Sequence, residues 1–105
     1  MSKADQVRRE LMAEFRQGAL ERIEKINFAW ISLETDGTDS ASCEELLRQL
    51  HTLKGEARMM GFAKLSHIAH RAEELVISAR DQQFAVSDAY GDLLLATTDT
   101  MLHMV

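Results

Sequence analysis

None of the 105 residues of this chain is a proline, and only five are glycine. Proline breaks a helix by removing a backbone donor and clashing with the preceding turn, so its absence lets helices run long. Apolar residues recur every three or four positions over long stretches, which is the helical rather than the strand period. The spacing of Leu11, Phe15, Ala19, Ile23, Ile26, Trp30 and Leu33 predicts a first helix from about Ala4 to Glu34 with one apolar stripe. The small polar run from Thr35 to Ser42 reads as the first loop. Ser42, with Glu45 three residues later, has the pattern of a capping box that would open a second helix.

That second helix has Leu46, Leu50, Leu53, Ala57 and Met60 inward and should stop or bend at Gly61. A third, from about Ala63 to Arg80, turns Leu65, Ile68, Ala69, Ala72, Leu75, Val76 and Ala79 to the core. The stretch DQQFAV is a connection, after which Ser87 or Asp88 caps a last helix facing inward through Tyr90, Leu94, Thr97, Met101 and Val105. Short polar connections between amphipathic helices predict an all-α fold, an antiparallel up-down four-helix bundle. The length suits one domain over residues 1–105.

Composition excludes several functions. A net charge of -5 without any basic stripe argues against nucleic acid. No apolar run approaches the roughly 20 residues that span a bilayer, and the N-terminus lacks the apolar core of a signal peptide. No membrane insertion and a cytoplasmic location are therefore expected. The lone Cys43 cannot form an internal disulfide and has no basic neighbour in sequence to activate it, so it reads as packing.

On a helical wheel the buried stripe of the second helix spans about 80°, and His51 lies about 130° from its centre. Lys54 and Arg58 follow on the same flank, one and two turns later. His51 is thus expected in solvent. Gly55 also points away from the stripe, leaving a hollow beside the imidazole where another molecule can approach. On the third helix, His70 and Glu73 form an i, i+3 pair on one flank, and if that flank meets the flank of the second helix, His51, Lys54, His70 and Glu73 make one polar cluster.

The stretch HTLKGEARMMGF, residues 51–62, resembles the signature of histidine phosphotransfer (HPt) domains, as found at the N-terminus of CheA-type chemotaxis histidine kinases. In that family the phosphoacceptor histidine is accompanied by a lysine three residues on, and by a histidine and a glutamate nineteen and twenty-two residues on. Lys54, His70 and Glu73 stand at those offsets from His51. The MMGF and the Glu-Ala-Arg after the glycine resemble the gliding-motility, FrzE-like variant. Glu56 stands where the family often has a small residue, and a fifth helix common in the family is not contained in the chain.

The resemblance implies that His51 accepts an ATP-derived phosphoryl group from the catalytic domain of a histidine kinase. It then passes the group to an aspartate of a response-regulator receiver domain, with Lys54, His70 and Glu73 in support. Gly55 and Arg58 would form the partner-access surface. The chain would be a phosphoacceptor and donor, not itself an enzyme, and would bind no cofactor, ATP and Mg²⁺ coming with the kinase. It would be a piece of a longer kinase, and a stand-alone relay protein is the alternative. A metal-binding bundle is a rival of another class, because His67, His70 and Glu73 have helical ligand spacing; it lacks the paired inward Glu-x-x-His repeats of such bundles, and no metal ligand is expected. A scaffold that docks a partner helix is a second rival, and it leaves the His51 surface without a purpose. His67 reads as a surface residue on another side from His70, and His103 has no constellation.

Overall fold

The computed structural model describes residues 2–35, 40–81 and 88–105, with side-chain environments over 2–33, 41–81 and 96–105. Four helices fill these residues: α1 (Lys3–Thr35), α2 (Ser40–Met59), α3 (Ala63–Asp81) and α4 (Asp88–Met104). Each packs on two neighbours, α1 on α2 and α4, α3 on α2 and α4, so the helices form a closed ring in chain order around one core. This is the expected up-down bundle.

α1 opens on a capping box that the sequence reading did not identify. The Asp5 amide donates to the Ser2 hydroxyl at 3.2 Å, and the Ser2 amide donates back to the Asp5 carboxylate at 3.3 Å. The box expected at Ser42 is displaced from a helix start, because α2 begins at Ser40. Ser and Ala are tolerable in a first helical turn, so the helix extends back past Ser42. α2 ends as expected at Gly61, whose φ of 82° suits a residue without a Cβ. Phe62 N–H donates to the Ala57 carbonyl at 2.8 Å and Gly61 N–H to Arg58 at 3.3 Å, a Schellman closure. Phe62 then packs on Phe15 of α1, ring centroids 4.9 Å apart, which ties the tight α2–α3 turn to the bundle.

The core follows the stripes: Phe15, Ala19, Ile23, Ile26, Trp30 and Leu33 of α1 are buried, with Leu46, Leu50, Leu53 and Ala57 of α2 and Met101 of α4. Leu65, Ala69, Ala72, Val76 and Ala79 complete it from α3, while Ile68, Leu75, Met60 and Val105 are partly buried against it. Each large buried side chain contributes roughly 1.5–3 kcal/mol. Leu11 departs from expectation and is 50% exposed. At about 1.5 Å per residue α1 is some 50 Å long and α2 some 30 Å, so the α1 stripe outruns its neighbours and burial begins at Phe15. Thr98, not placed in the core by the sequence, is buried and donates to Asn27 Oδ1 at 2.9 Å, joining α4 to α1. Thr97, expected inward, is only partly buried. Residues 36–39 of the expected first loop, the DQQFAV connection after Asp81, Ser87, and the side chains of Tyr90 and Leu94 lie outside the described residues.

Candidate functional site

With its stripe in the core, α2 has two flanks. One faces α1, where Arg22 donates from Nη1 to Gln49 Oε1 at 2.6 Å and from Nη2 to Glu56 Oε1 at 3.0 Å, and Gln49 donates on to Glu45 at 2.7 Å. This lattice fixes the rotation of α2 about its own axis, and so the direction of everything on the other flank. Hydrogen bonds from Arg48 and Gln49 hold the Glu45 carboxyl below the usual carboxylate range.

The other flank meets α3. Glu73 stands at their junction, only 14% exposed, and its two oxygens are divided between two residues of α2. Oε1 accepts from Lys54 Nζ at 2.8 Å, and Oε2 lies 3.2 Å from Nδ1 of His51. A carboxylate can only accept, so this contact is a hydrogen bond when Nδ1 carries the ring proton. Nε2 is then the nitrogen with a free lone pair, and it takes no protein partner among the described residues. The imidazole is 71% exposed, as the wheel places it, whereas the Lys54 side chain is 24% exposed and lies along the helix junction. Ser66 on α3 donates to the Lys54 carbonyl at 2.9 Å, clamping the helices together one turn beyond His51.

His70 is near this group but outside its hydrogen bonds. Its Nδ1 is 3.9 Å from Glu73 Oε1, beyond hydrogen-bond range, while its Nε2 lies 2.8 Å from Glu74 Oε1. The hydrogen bond from Arg71, followed by the charge of His70, keeps the Glu74 carboxyl below its ordinary value. The expected cluster of four is therefore three bonded residues and one neighbour, because Glu74, one turn on, competes for the imidazole.

Gly55 is exposed, and a Cβ added there would meet nothing within 4 Å. Beside it opens a hollow of about 540 Å³ between α2 and α3, bordered by Lys54, Arg58, His67 and His70 among others. His67 was assigned to another side of α3 from His70; both in fact border this hollow, since its mouth spans a full helical turn of α3. Among the described residues no three His, Cys, Asp or Glu side chains are grouped to hold a metal ion. Cys43 is buried, and burial pushes its thiol up, away from the thiolate a nucleophile needs.

The sequence reading missed Arg22. A signal was present: on the α1 wheel Arg22 falls about 20° from Phe15 and Leu33, inside the apolar arc. An arginine in that position must bury its stem and find acceptors at the rim. Gln49 and Glu56 supply them from α2.

The chain as a whole is similar to known proteins. The model of the family described as Hpt domain matches residues 10–103. The chain is 35% identical over 95 residues to the gliding motility regulatory protein of Myxococcus xanthus, and 31% identical over 96 residues to the chemotaxis protein CheA of Treponema pallidum. These alignments cover 90% and 91% of this chain but only 12% of each relative, so the chain spans about one eighth of their length. Among solved structures the CheA phosphotransferase domain from Thermotoga maritima superposes with a TM-score of 0.82, at 28% identity and with 90% of each chain covered. The family match over residues 10–103, and a superposition that covers 90% of the chain, lead to one assignment: this chain belongs to the Hpt domain family.

Proposed function

We propose that His51 is the phosphoacceptor of a chemotaxis-type two-component system. In this reading it takes the γ-phosphoryl group of ATP within a histidine-kinase catalytic domain and delivers it to an aspartate of a response-regulator receiver domain. The observation that carries the reading is the division of the Glu73 carboxylate between His51 Nδ1 and Lys54 Nζ. Glu73 holds the proton on Nδ1 and leaves Nε2 as the nucleophile. In the first step the Nε2 lone pair forms the N–P bond while the bond from the γ-phosphorus to the bridging oxygen breaks, and ADP departs with those electrons. Nδ1 keeps its proton, so the ring becomes cationic, and the adjacent carboxylate stabilises it. Lys54 offsets charge on the phosphoryl oxygens. In the second step an aspartate oxygen attacks phosphorus, and the N–P electron pair returns to Nε2.

The domain acts as a carrier in this scheme, with ATP, Mg²⁺ and their binding residues belonging to the kinase catalytic domain. It works within a longer histidine kinase, as the length of its relatives suggests, and in the cytoplasm, where ATP is available. No helix among the described residues is long and apolar enough to cross a membrane. The test is labelling with a kinase catalytic domain and ATP. His51→Gln is expected to keep the helical circular dichroism spectrum and lose all acid-labile, alkali-stable label, because the ring is 71% exposed and lies outside the hydrophobic core. Label persisting in that variant would assign the acceptor elsewhere.

A further inference from the structure

Glu73 and Glu74 are adjacent carboxylates on α3, and each divides its oxygens between two partners. Glu73 reaches across to α2, where Oε1 accepts from Lys54 Nζ and Oε2 faces His51 Nδ1. Glu74 stays on its own helix: Oε1 lies 2.8 Å from His70 Nε2, and Oε2 accepts from Arg71 Nη1 at 3.2 Å. His70 stands three residues before one carboxylate and four before the other, so its side chain can face either. Its Nδ1 is 3.9 Å from Glu73 Oε1, about 1 Å short of a hydrogen bond. The carboxylate that His70 serves also decides its tautomer. A Glu74 oxygen can only accept, so the 2.8 Å contact is a hydrogen bond when Nε2 carries a proton. In the neutral ring Nδ1 is then a lone pair, with nothing to donate to Glu73.

We propose that Glu74 is a positioning residue for phosphoryl transfer at His51: by holding the Nε2 proton of His70, it keeps that ring off Glu73 and reserves the Glu73 carboxylate for His51 and Lys54. The inference rests on the reading of His51 as the phosphoacceptor. Arg71 holds the second oxygen of Glu74, which leaves the first directed at His70. Without Glu74, the neutral His70 ring is free to carry its proton on Nδ1 and close on Glu73 Oε1, which already accepts from Lys54. Three donors would then draw on two oxygens. The His51 bond is the one that yields, because at 3.2 Å it is longer than the Lys54 contact at 2.8 Å, and its ring is 71% exposed against 24% for the lysine. A His51 ring that loses this bond no longer has its proton fixed on Nδ1, and Nε2 is the nucleophile for a smaller share of the time.

The experiment combines ring tautomers with labelling rates. At a pH where the rings are neutral, long-range proton-nitrogen NMR of the chain should show His51 protonated on Nδ1 and His70 on Nε2. Glu74→Ala removes the acceptor, and there His70 should gain the form protonated on Nδ1 while labelling of His51 by phosphoramidate slows about threefold, the scale of an exposed ion pair. Glu74→Gln keeps an acceptor oxygen and should slow it less. In a His70→Ala background, Glu74→Ala should slow labelling no further. Glu74 is half exposed, so its variants should keep the circular dichroism spectrum of the folded chain. A wild-type rate in Glu74→Ala, or an unchanged His70 tautomer, would overturn the proposal. So would equal slowing with and without His70, which would mean that Glu74 acts through its charge alone. Labelling of the wild-type chain is the separate arm: absence of label at His51 removes the phosphoacceptor reading, whereas label at His51 with an unaltered rate in Glu74→Ala removes only the role of Glu74.

Discussion

At the scale of single residues, Glu73 decides the most. It is the least exposed member of its group and the only one that touches both Lys54 and His51, so its charge is balanced by a cation and directed at a ring proton. Glu73→Gln preserves shape but replaces one acceptor oxygen with a donor, and either His51 loses its orienting bond or Lys54 loses its counter-charge. The variant is expected to be phosphorylated on the order of tenfold more slowly, the usual penalty for losing the partner that orients a histidine, without loss of the reaction. Single-turnover labelling with a kinase domain measures this, and a rate equal to wild type would mean that the contact does not bear on the chemistry. His70 illustrates what residue spacing leaves open. Its offset from His51 and its i, i+3 relation to Glu73 are visible in the sequence, but the choice between Glu73 and Glu74 is made by a side-chain rotamer, and nothing in the order of letters records it.

At the scale of elements, α2 combines a packed stripe with an exposed flank that carries His51, Gly55 and Arg58. Gly55 sits mid-helix without any internal packing reason, since an added Cβ would find open space. Gly55→Ala should therefore raise stability by roughly 0.5–1 kcal/mol through helix propensity. The same substitution should slow phosphoryl transfer from a kinase domain while leaving labelling by phosphoramidate intact, because only the large donor needs the space. Thermal unfolding and the two labelling rates check it; equal slowing with both donors would place the glycine's role in the fold. The stripes of α2 and α3 were legible because burial imposes the 3.6-residue period on every core position from Leu46 to Ala57 and from Leu65 to Ala79. Gly61 was legible because a left-handed turn selects glycine. Leu11 was misjudged because periodicity says which way a residue faces but not whether a neighbouring helix is long enough to cover it. Ser40 was missed as the start of α2 because Ser40, Ala41 and Ser42 are all acceptable near a helix start, and tertiary packing chooses among them.

At the scale of the whole molecule, the bundle holds the flank of α2 in place from both sides: Arg22 grips it from α1, and Glu73 with Ser66 from α3. The surface ion pairs also set an acid response. Glu45, held by Arg48 and Gln49, and Glu74, held by Arg71, bind protons less readily in the folded chain than in the unfolded one. Their stabilising effect is complete above the ordinary carboxylate range and is lost as pH falls through their lowered folded values. Urea midpoints should drop between pH 7 and the acid side of that range, and drop less in an Arg48→Gln, Arg71→Gln double variant; an identical acid loss in that variant would show that these pairs do not contribute. The central claim concerns one nitrogen, His51 Nε2, left bare because Glu73 holds the proton on the other. The most direct measurement is phosphorus-coupled nitrogen-15 NMR of the phosphorylated chain. The account predicts a single phosphohistidine at His51 with the N–P coupling on Nε2 and the proton on Nδ1, and a coupling on Nδ1, or on any other residue, would contradict it.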